Sequence, residues 1–288
     1  MAWLGGVLAT AGGARAAPAP RRIVALDAPS TEMLTTLGIA PAGVAGLDGY
    51  RKVEGDLPLL RHAVDVGFYY EPNLEMLQAL KPDVMVRSFG IGPSVELLER
   101  IAPVISAPVY GVAGSTEEGA ASSFRQIAGL TGTGAAAEAF LAAHRSRLDR
   151  LAAQVAARRL RPVFLASPLL DGRHVILYGR NSLFDGVMRR VGLRNAYGGE
   201  TSPWGIASKG IDSLAGMPDG VFLYIESPIA KTAIGTLEKS AIWRSLPFVR
   251  AARVLPVPYL EMYGALPTAH RFAGIVDGLI DRGALDAG

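Results

Sequence analysis

From residue 22 onward, short apolar runs alternate with stretches whose apolar residues recur every three or four positions, and Gly, Pro or small polar residues separate them. Runs bounded in this way read as strands, and the longer period reads as helix. The alternation predicts an α/β fold with mainly parallel strands. Strands are expected at residues 22–26, 43–47, 84–87, 104–110, 162–166, 175–178, 221–225 and 254–257. Turn punctuation falls at Pro29, Pro72, Pro93 and Pro247, and both Pro72-Asn73 and Pro93-Ser94 read as helix starts. Residues 135–160 stand apart, because they contain no Gly or Pro and are rich in Ala, Leu, Arg and Gln. At ~1.5 Å per residue they make a helix of about 40 Å. Phe140, Leu141, His144, Leu148, Leu151 and Val155 share one stripe of it, so His144 reads as a packed helix-face histidine.

One phrase occurs twice. Leu74-Glu75-Met76-Leu77 leads through Pro82-Asp83 into Val84-Met85-Val86, and Ile211-Asp212-Ser213-Leu214 leads through Pro218-Asp219 into Val221-Phe222-Leu223. Each copy is an acid on a short helix that feeds an apolar strand. The opening elements echo as well: strand 23–26, Ser30, a helix and Gly38 answer strand 175–178, Ser182, a helix and Gly192. Repetition half a chain apart implies two similar lobes, since solenoid periods run to only ~20–50 residues. The expected division is an N-terminal α/β lobe at 18–133, a linking helix at 134–160 and a C-terminal α/β lobe at 161–288, with a cleft between the lobes.

The 288 residues, half of them hydrophobic, suffice for a large core without staples. A formal charge of +3, from 29 basic and 26 acidic residues, without a basic run longer than a pair, argues against a nucleic-acid partner. The absence of cysteine excludes disulfides, thiolate metal sites, a cysteine nucleophile and a lipid-modified N-terminal cysteine. Residues 1–17 are small and apolar and end in Ala14-Arg15-Ala16 before Pro18, the pattern of a cleaved signal peptide, although a positive n-region is missing. That leader predicts an exported protein without a lipid anchor, and no later run is long and apolar enough to span a membrane.

Enzyme signatures fare poorly. Gly132-Thr-Gly134 follows a helical stretch instead of a strand, which removes the dinucleotide reading. There is no phosphate loop and no nucleophile elbow, and Ser208-Lys209 lacks the partners of a catalytic pair. Asp27, Asp65, Glu71 and Asp171 read as caps and turn acids, and His62, His144, His174 and His270 have no metal-ligand spacing.

Ten segments resemble one family in order along the chain. They are Val64-Asp-Val-Gly67, Glu71-Pro-Asn-Leu-Glu75, Leu80-Lys-Pro-Asp83, Gly90-x-Gly-Pro-Ser94, Ile101-Ala-Pro103, Gly179-x-Asn-Ser-Leu-Phe184, Gly199-Glu-Thr201, Trp204-Gly205, Leu246-Pro-Phe-Val249 and Tyr263-Gly-Ala265. Together they resemble the periplasmic iron(III)-hydroxamate-binding proteins of ABC importers, the FhuD type. The resemblance implies two α/β lobes bridged by a single long helix. It implies capture of a ferric siderophore, most simply a trihydroxamate, and delivery to an inner-membrane permease that has a separate ATPase subunit. The chelate brings the iron's ligands, so no cofactor and no protein metal site are expected, and a delivery protein of this kind works as a monomer. Other chelates (ferric carboxylates or catecholates, a corrinoid, haem), a siderophore-modifying hydrolase and a docking sensor or scaffold are the competing readings.

The same resemblance assigns residues. Glu75 and Asp212 match the two acids, one per lobe, that dock on permease arginines, and Trp204 and Tyr263 match cleft aromatics. Two departures stand out: the positions of the family's cleft arginine and tyrosine are Tyr69 and Ile91 here. Arg87, at a neighbouring strand end, is the candidate replacement donor, since a guanidinium suits hydroxamate oxygens. Phe68, Tyr70 and Phe89 flank these positions and would complete an aromatic pocket.

Overall fold

A computed structural model describes residues 19–55, 57–111 and 116–287, so the expected signal peptide at 1–17 lies outside the described residues. The N-terminal half runs β1 (Ile23–Ala25), α1 (Ala28–Thr36), β2 (Gly43–Val44), α2 (Leu47–Glu54), β3 (Val64–Asp65), β4 (Gly67–Phe68), β5 (Glu71–Pro72), α3 (Leu74–Leu80), β6 (Val84–Arg87), α4 (Val95–Leu98) and β7 (Val104–Ser106). Two long helices follow, α5 (Thr116–Thr131) and α6 (Gly134–Ala156). The C-terminal half runs β8 (Val163–Pro168), β9 (His174–Tyr178), α7 (Leu183–Val191), β10 (Ile206–Gly210), β11 (Val221–Ile225), α8 (Ala230–Leu237), α9 (Ala241–Ser245), α10 (Pro247–Arg250), β12 (Val254–Val257) and α11 (Leu266–Asp281).

The strands form two five-stranded sheets, ordered β3-β2-β1-β6-β7 and β10-β9-β8-β11-β12. The first is wholly parallel. The second is parallel across β8, β11 and β12 but joins β9 and β10 by antiparallel pairings. The repeated phrase is therefore a repeat of position: β6 and β11, each fed by its acid-bearing turn, both lie beside the central strand. The echo between the opening elements is not. β1 is the centre of its sheet, whereas β9 is second from the edge, and the centre of the second sheet is β8. The difference follows from the connections, because β8 reaches β9 through a tight hairpin, which enforces antiparallel pairing, while α1 carries the chain from β1 to β2.

Side chains alternate across these strands and divide the interior. Ile23 and Ala25 of β1 face one large core and Val24 faces a smaller outer one, as Val163 and Leu165 of β8 oppose Phe164 and Ala166. The large core is common to both lobes. It runs from Ile23 and Val86 through Phe124, Leu141, Leu148 and Phe272 to Val163 and Leu223. Helix α11 packs on α1, α5, α6 and α7, so the C-terminal helix ties both sheets to the long α6. The 23 residues of α6 span about 34 Å, and Leu141, His144, Leu148 and Leu151 are buried along it while Phe140 and Val155 flank the stripe.

Several boundaries differ from the sequence expectation. The strand expected at 43–47 stops at Val44, because the Asp65 carboxylate accepts the Asp48 N–H and starts α2 at Leu47. The strand at 104–110 stops at Ser106, just before Pro108, which has no N–H for a ladder. The long helix ends at Ala156 instead of 160. The acid of the second phrase, Asp212, sits in a six-residue 3-10 helix, Ile211–Gly216, not an α-helix. β3, β4, β5 and β10 were not expected. The first three have two residues each, too short to show a period, and β10 is an edge strand of mixed polarity.

Candidate functional site

The carboxyl ends of parallel strands are where α/β folds present their loops, and a large cleft opens there. It encloses about 880 Å³ and is lined from the first lobe by residues following β1, β2, β3 and β6, and from the second by Tyr259, Glu261, Met262 and Tyr263 between β12 and α11. Its aromatic wall is continuous across the lobes. Tyr69 lies 6.0 Å from Phe89, Phe89 meets Tyr263 edge-on at 5.7 Å, and Tyr263 meets Trp204 edge-on at 5.7 Å. Phe68 and Tyr70 stack at 5.5 Å on the β4–β5 hairpin at the rim. Phe68 is 63% exposed, Tyr69 40% and Trp204 39%, an unusual outlay of large apolar surface at one mouth.

Local chemistry fixes these rings. Buried Asp27 caps α1 through Ser30 N–H at 2.9 Å, and its other oxygen accepts the N–H groups of Ser88 and Phe89 at 2.6 and 2.9 Å. One carboxylate thereby joins the end of β1 to the loop that carries Phe89. Gly92 lets the 90–94 loop lie on the hairpin: its φ is +99°, and a Cβ would stand 2.7 Å from the Tyr69 carbonyl oxygen. Gly205, at φ +76°, turns the chain after Trp204 so closely over Ser182 that a Cβ would overlap the backbone.

Among the described residues, the acidic and basic side chains lining the cleft are Asp48, Lys52, Asp65 and Glu261. Asp65 accepts N–H bonds from Asp48 and Gly67, both at 2.9 Å. Glu261 accepts the Tyr259 hydroxyl at 2.8 Å, and burial pushes its carboxyl above the ordinary range against that bond. Arg87 is elsewhere. Its guanidinium donates to the Pro93 carbonyl at 2.9 Å, and with Ile91 it lines a narrow recess behind Tyr69 and Phe89. Arg87, expected as a donor into the aromatic cleft, has one guanidinium nitrogen on the Pro93 carbonyl and shares its recess with the cleft residues Tyr69 and Phe89. Ile91 lines the same recess.

Of the residues singled out in the sequence, Phe68, Tyr69, Phe89 and Tyr263 line the cleft, and Trp204 adjoins it through Tyr263. Glu75 and Asp212 lie outside, both exposed, each in the first turn of the helix that precedes β6 or β11. Sequence reasoning missed Tyr50, Lys52, Tyr259, Glu261 and Met262. The usable signal was position, since Tyr259 to Tyr263 directly follow the last predicted strand. Among the described residues, no three His, Asp or Glu side chains gather as a metal site, and no helix is long and apolar enough to cross a membrane.

A second polar cluster closes the flank. Arg271 of α11 donates to Glu32 of α1 at 2.7 Å and to both oxygens of Glu54. Glu32 also accepts Thr268 Oγ1 at 2.6 Å and Ala265 N–H at 3.0 Å. Burial raises the Glu32 carboxyl to about 7 despite the guanidinium.

Two lobes around a shared helical layer, with an aromatic cleft at the strand ends, define a solute-binding protein. The chain belongs to the periplasmic binding protein family, whose sequence pattern matches residues 23–258. It is 37% identical over 261 residues to the iron(3+)-hydroxamate-binding protein FhuD of Escherichia coli K12, covering 91% of this chain and 87% of the relative. Among solved structures it is similar to the Fe3+-Desferal-bound siderophore-binding protein FhuD of Vibrio cholerae, with a TM-score of 0.80, 30% identity and coverage of 90% and 98%. The triscatecholate siderophore-binding protein FeuA of Bacillus subtilis shares the fold, with a TM-score of 0.73 at 19% identity over 92% of this chain and 93% of its own.

Proposed function

We propose that this protein is the periplasmic ferric-siderophore receptor of an ABC importer, with hydroxamate chelates as its ligands. The observation that carries the reading is the continuous aromatic wall from Tyr69 through Phe89 and Tyr263 to Trp204, in a chain 37% identical to a hydroxamate-binding protein. Rings of this kind cover the organic frame of a chelate, and the chelate itself saturates the iron, so the receptor contributes shape and hydrogen bonds. The hydroxyls of Tyr69 and Tyr263 are the donors, and Phe68 and Tyr70 extend the rim. Arg87, held at Pro93, positions the 90–94 loop and does not meet the ligand. Glu75 and Asp212 dock the two lobes on the permease, where paired acids serve orientation and on-rate. A partner subunit hydrolyses ATP. The shared core between the lobes keeps their relative motion small.

The test is tryptophan fluorescence during titration with ferric Desferal. Trp243 is buried in the outer core of the second lobe and Trp204 stands at the edge of the cleft. Saturable quenching that disappears in Trp204→Phe, with the ligand recovered unaltered, is the expected result. Chemical change of the ligand would make the protein an enzyme, and silence toward hydroxamates together with saturation by a catecholate, citrate, corrinoid or haem would replace the ligand class. Charge reversal at both Glu75 and Asp212 is expected to abolish uptake with affinity retained, and unaltered uptake would remove the docking assignment.

A further inference from the structure

The charge of the cleft is lopsided. Among the described residues its lining holds three carboxylates, Asp48, Asp65 and Glu261, against the single ammonium of Lys52, and no arginine. Arg87, beside Tyr69 and Phe89, donates to the Pro93 carbonyl, and Arg271, in the pocket that shares Tyr50 with the cleft, is bonded to Glu32 and Glu54. The carboxylates also differ in what holds them. Both oxygens of Asp65 take backbone N–H groups, so it serves the start of α2. Glu261 takes the Tyr259 hydroxyl and the Tyr263 N–H, and the Gly264 N–H fixes its own carbonyl, so it is held among the rings of the second lobe beside Met262 and Tyr263. A partly buried carboxylate is stabilised by an arriving cation and further burdened by an anion.

The chemistry of the ligand class makes that asymmetry selective. Three hydroxamates neutralise ferric iron, so the charge of such a chelate is the charge of its periphery, whereas three catecholates leave a trianionic core. We propose that this cleft selects ferric hydroxamates that carry a pendant cation, a protonated amine, and that Glu261 is the specificity residue that meets it. The proposal rests on the ferric-siderophore reading and adds the sign of the ligand's charge to it. Asp48, exposed at the start of α2, adds longer-range attraction that salt screens.

The experiment uses three ligands with one iron core: ferric Desferal, whose terminal amine is protonated at neutral pH, its N-acetyl derivative, which is neutral, and its N-succinyl derivative, which is anionic. Affinities are measured by fluorescence titration at pH 7 in low and high salt. The wild-type protein is expected to bind the amine roughly tenfold more tightly than the acetyl form, the scale of one charge-assisted contact, and the succinyl form most weakly. In Glu261→Gln the ratio of amine to acetyl affinity is expected to fall to near one. Equal affinities for the three ligands in the wild type would overturn the proposal and leave the siderophore reading standing. Binding of none would overturn both. A ratio that persists in Glu261→Gln but collapses in Asp48→Asn would overturn the assignment to Glu261. The wild-type series needs no variant, so it decides the charge question even if a substitution prevents folding.

Discussion

Tyr50 stands between two polar regions at the junction of the lobes, and they are built on opposite plans. On the flank, Glu32 and Glu54 face Arg271, and a hydroxyl and a backbone N–H complete the set around Glu32. In the cleft, Glu261 is held by a tyrosine hydroxyl and a backbone N–H, and rings that a core would bury stand in solvent. The first arrangement joins α1 and α2 to α11 and thus one lobe to the other. The second leaves apolar area open to solvent and holds its carboxylate with neutral donors. A protein of this size could close both sides in the same way, so the side left open is the side that awaits a ligand. The contrast predicts that stability and affinity separate by region.

The largest effect is expected from opening the flank. Arg271→Leu strands Glu32 with no countercharge, and removal of one partner of a buried ion pair costs about 3–5 kcal/mol. The guanidinium side chain is 36% exposed, so a loss near the lower limit, about 3 kcal/mol, is expected in denaturant titration. Affinity for ferric Desferal measured on the folded variant should change less than threefold. A neutral substitution would mean that the apolar core alone holds the lobes.

Asp27→Ala comes next and connects the regions. It removes the cap of α1 and leaves the Ser88 and Phe89 N–H groups without their acceptor, for about 2 kcal/mol of stability. Because those N–H groups belong to the loop carrying Phe89, affinity should fall too, which distinguishes this change from Arg271→Leu. Trp204→Ala is the reverse case. The ring is 39% exposed and touches Tyr263, so a loss of about tenfold in affinity with less than about 1 kcal/mol in stability is expected. Equal losses on both measures would make Trp204 part of the scaffold.

These regions were unequally legible in the sequence. Strands β6, β8, β9, β11 and β12 announce themselves because each is an apolar run closed by turn residues, and α6 does so by lacking Gly and Pro. The rings of the cleft were readable as types in loops. What placed Arg87 was the carbonyl of Pro93, six residues away along a folded loop, and no periodicity encodes a side chain's choice of acceptor. Glu261 was silent for a related reason: an acid flanked by Leu260 and Met262 has no pattern until β12 delivers it to the cleft. The flank escaped notice entirely, since Glu32 and Arg271 are 239 positions apart.

The smallest effect in the wild type is one of pH, and it arises from two opposed groups on the flank. Glu32 is raised from 4.5 to about 7 by burial, so the folded state binds its proton more tightly than the unfolded chain does. Its contribution to stability is present below about pH 4.5 and is lost as the pH rises through about 7. His270, which lines the flank pocket with Glu32, is lowered from 6.5 to about 4 by burial and by Arg147 and His144, so its contribution is present above pH 6.5 and is lost as the pH falls through about 4. Between about pH 4.5 and 6.5 the two slopes oppose each other, and the flank adds little net pH dependence. Removing either group should expose the other. The melting temperature of Glu32→Gln, relative to wild type at each pH, should rise from pH 4.5 to 7, and that of His270→Asn should rise as the pH falls from 6.5 to 4. Taking the difference from wild type cancels Asp27 and Glu261, which burial pushes in the same direction as Glu32. A flat difference for Glu32→Gln would mean that Arg271 keeps the carboxylate ionised throughout, and the flank would then be a permanent ion pair whose strength owes nothing to protons.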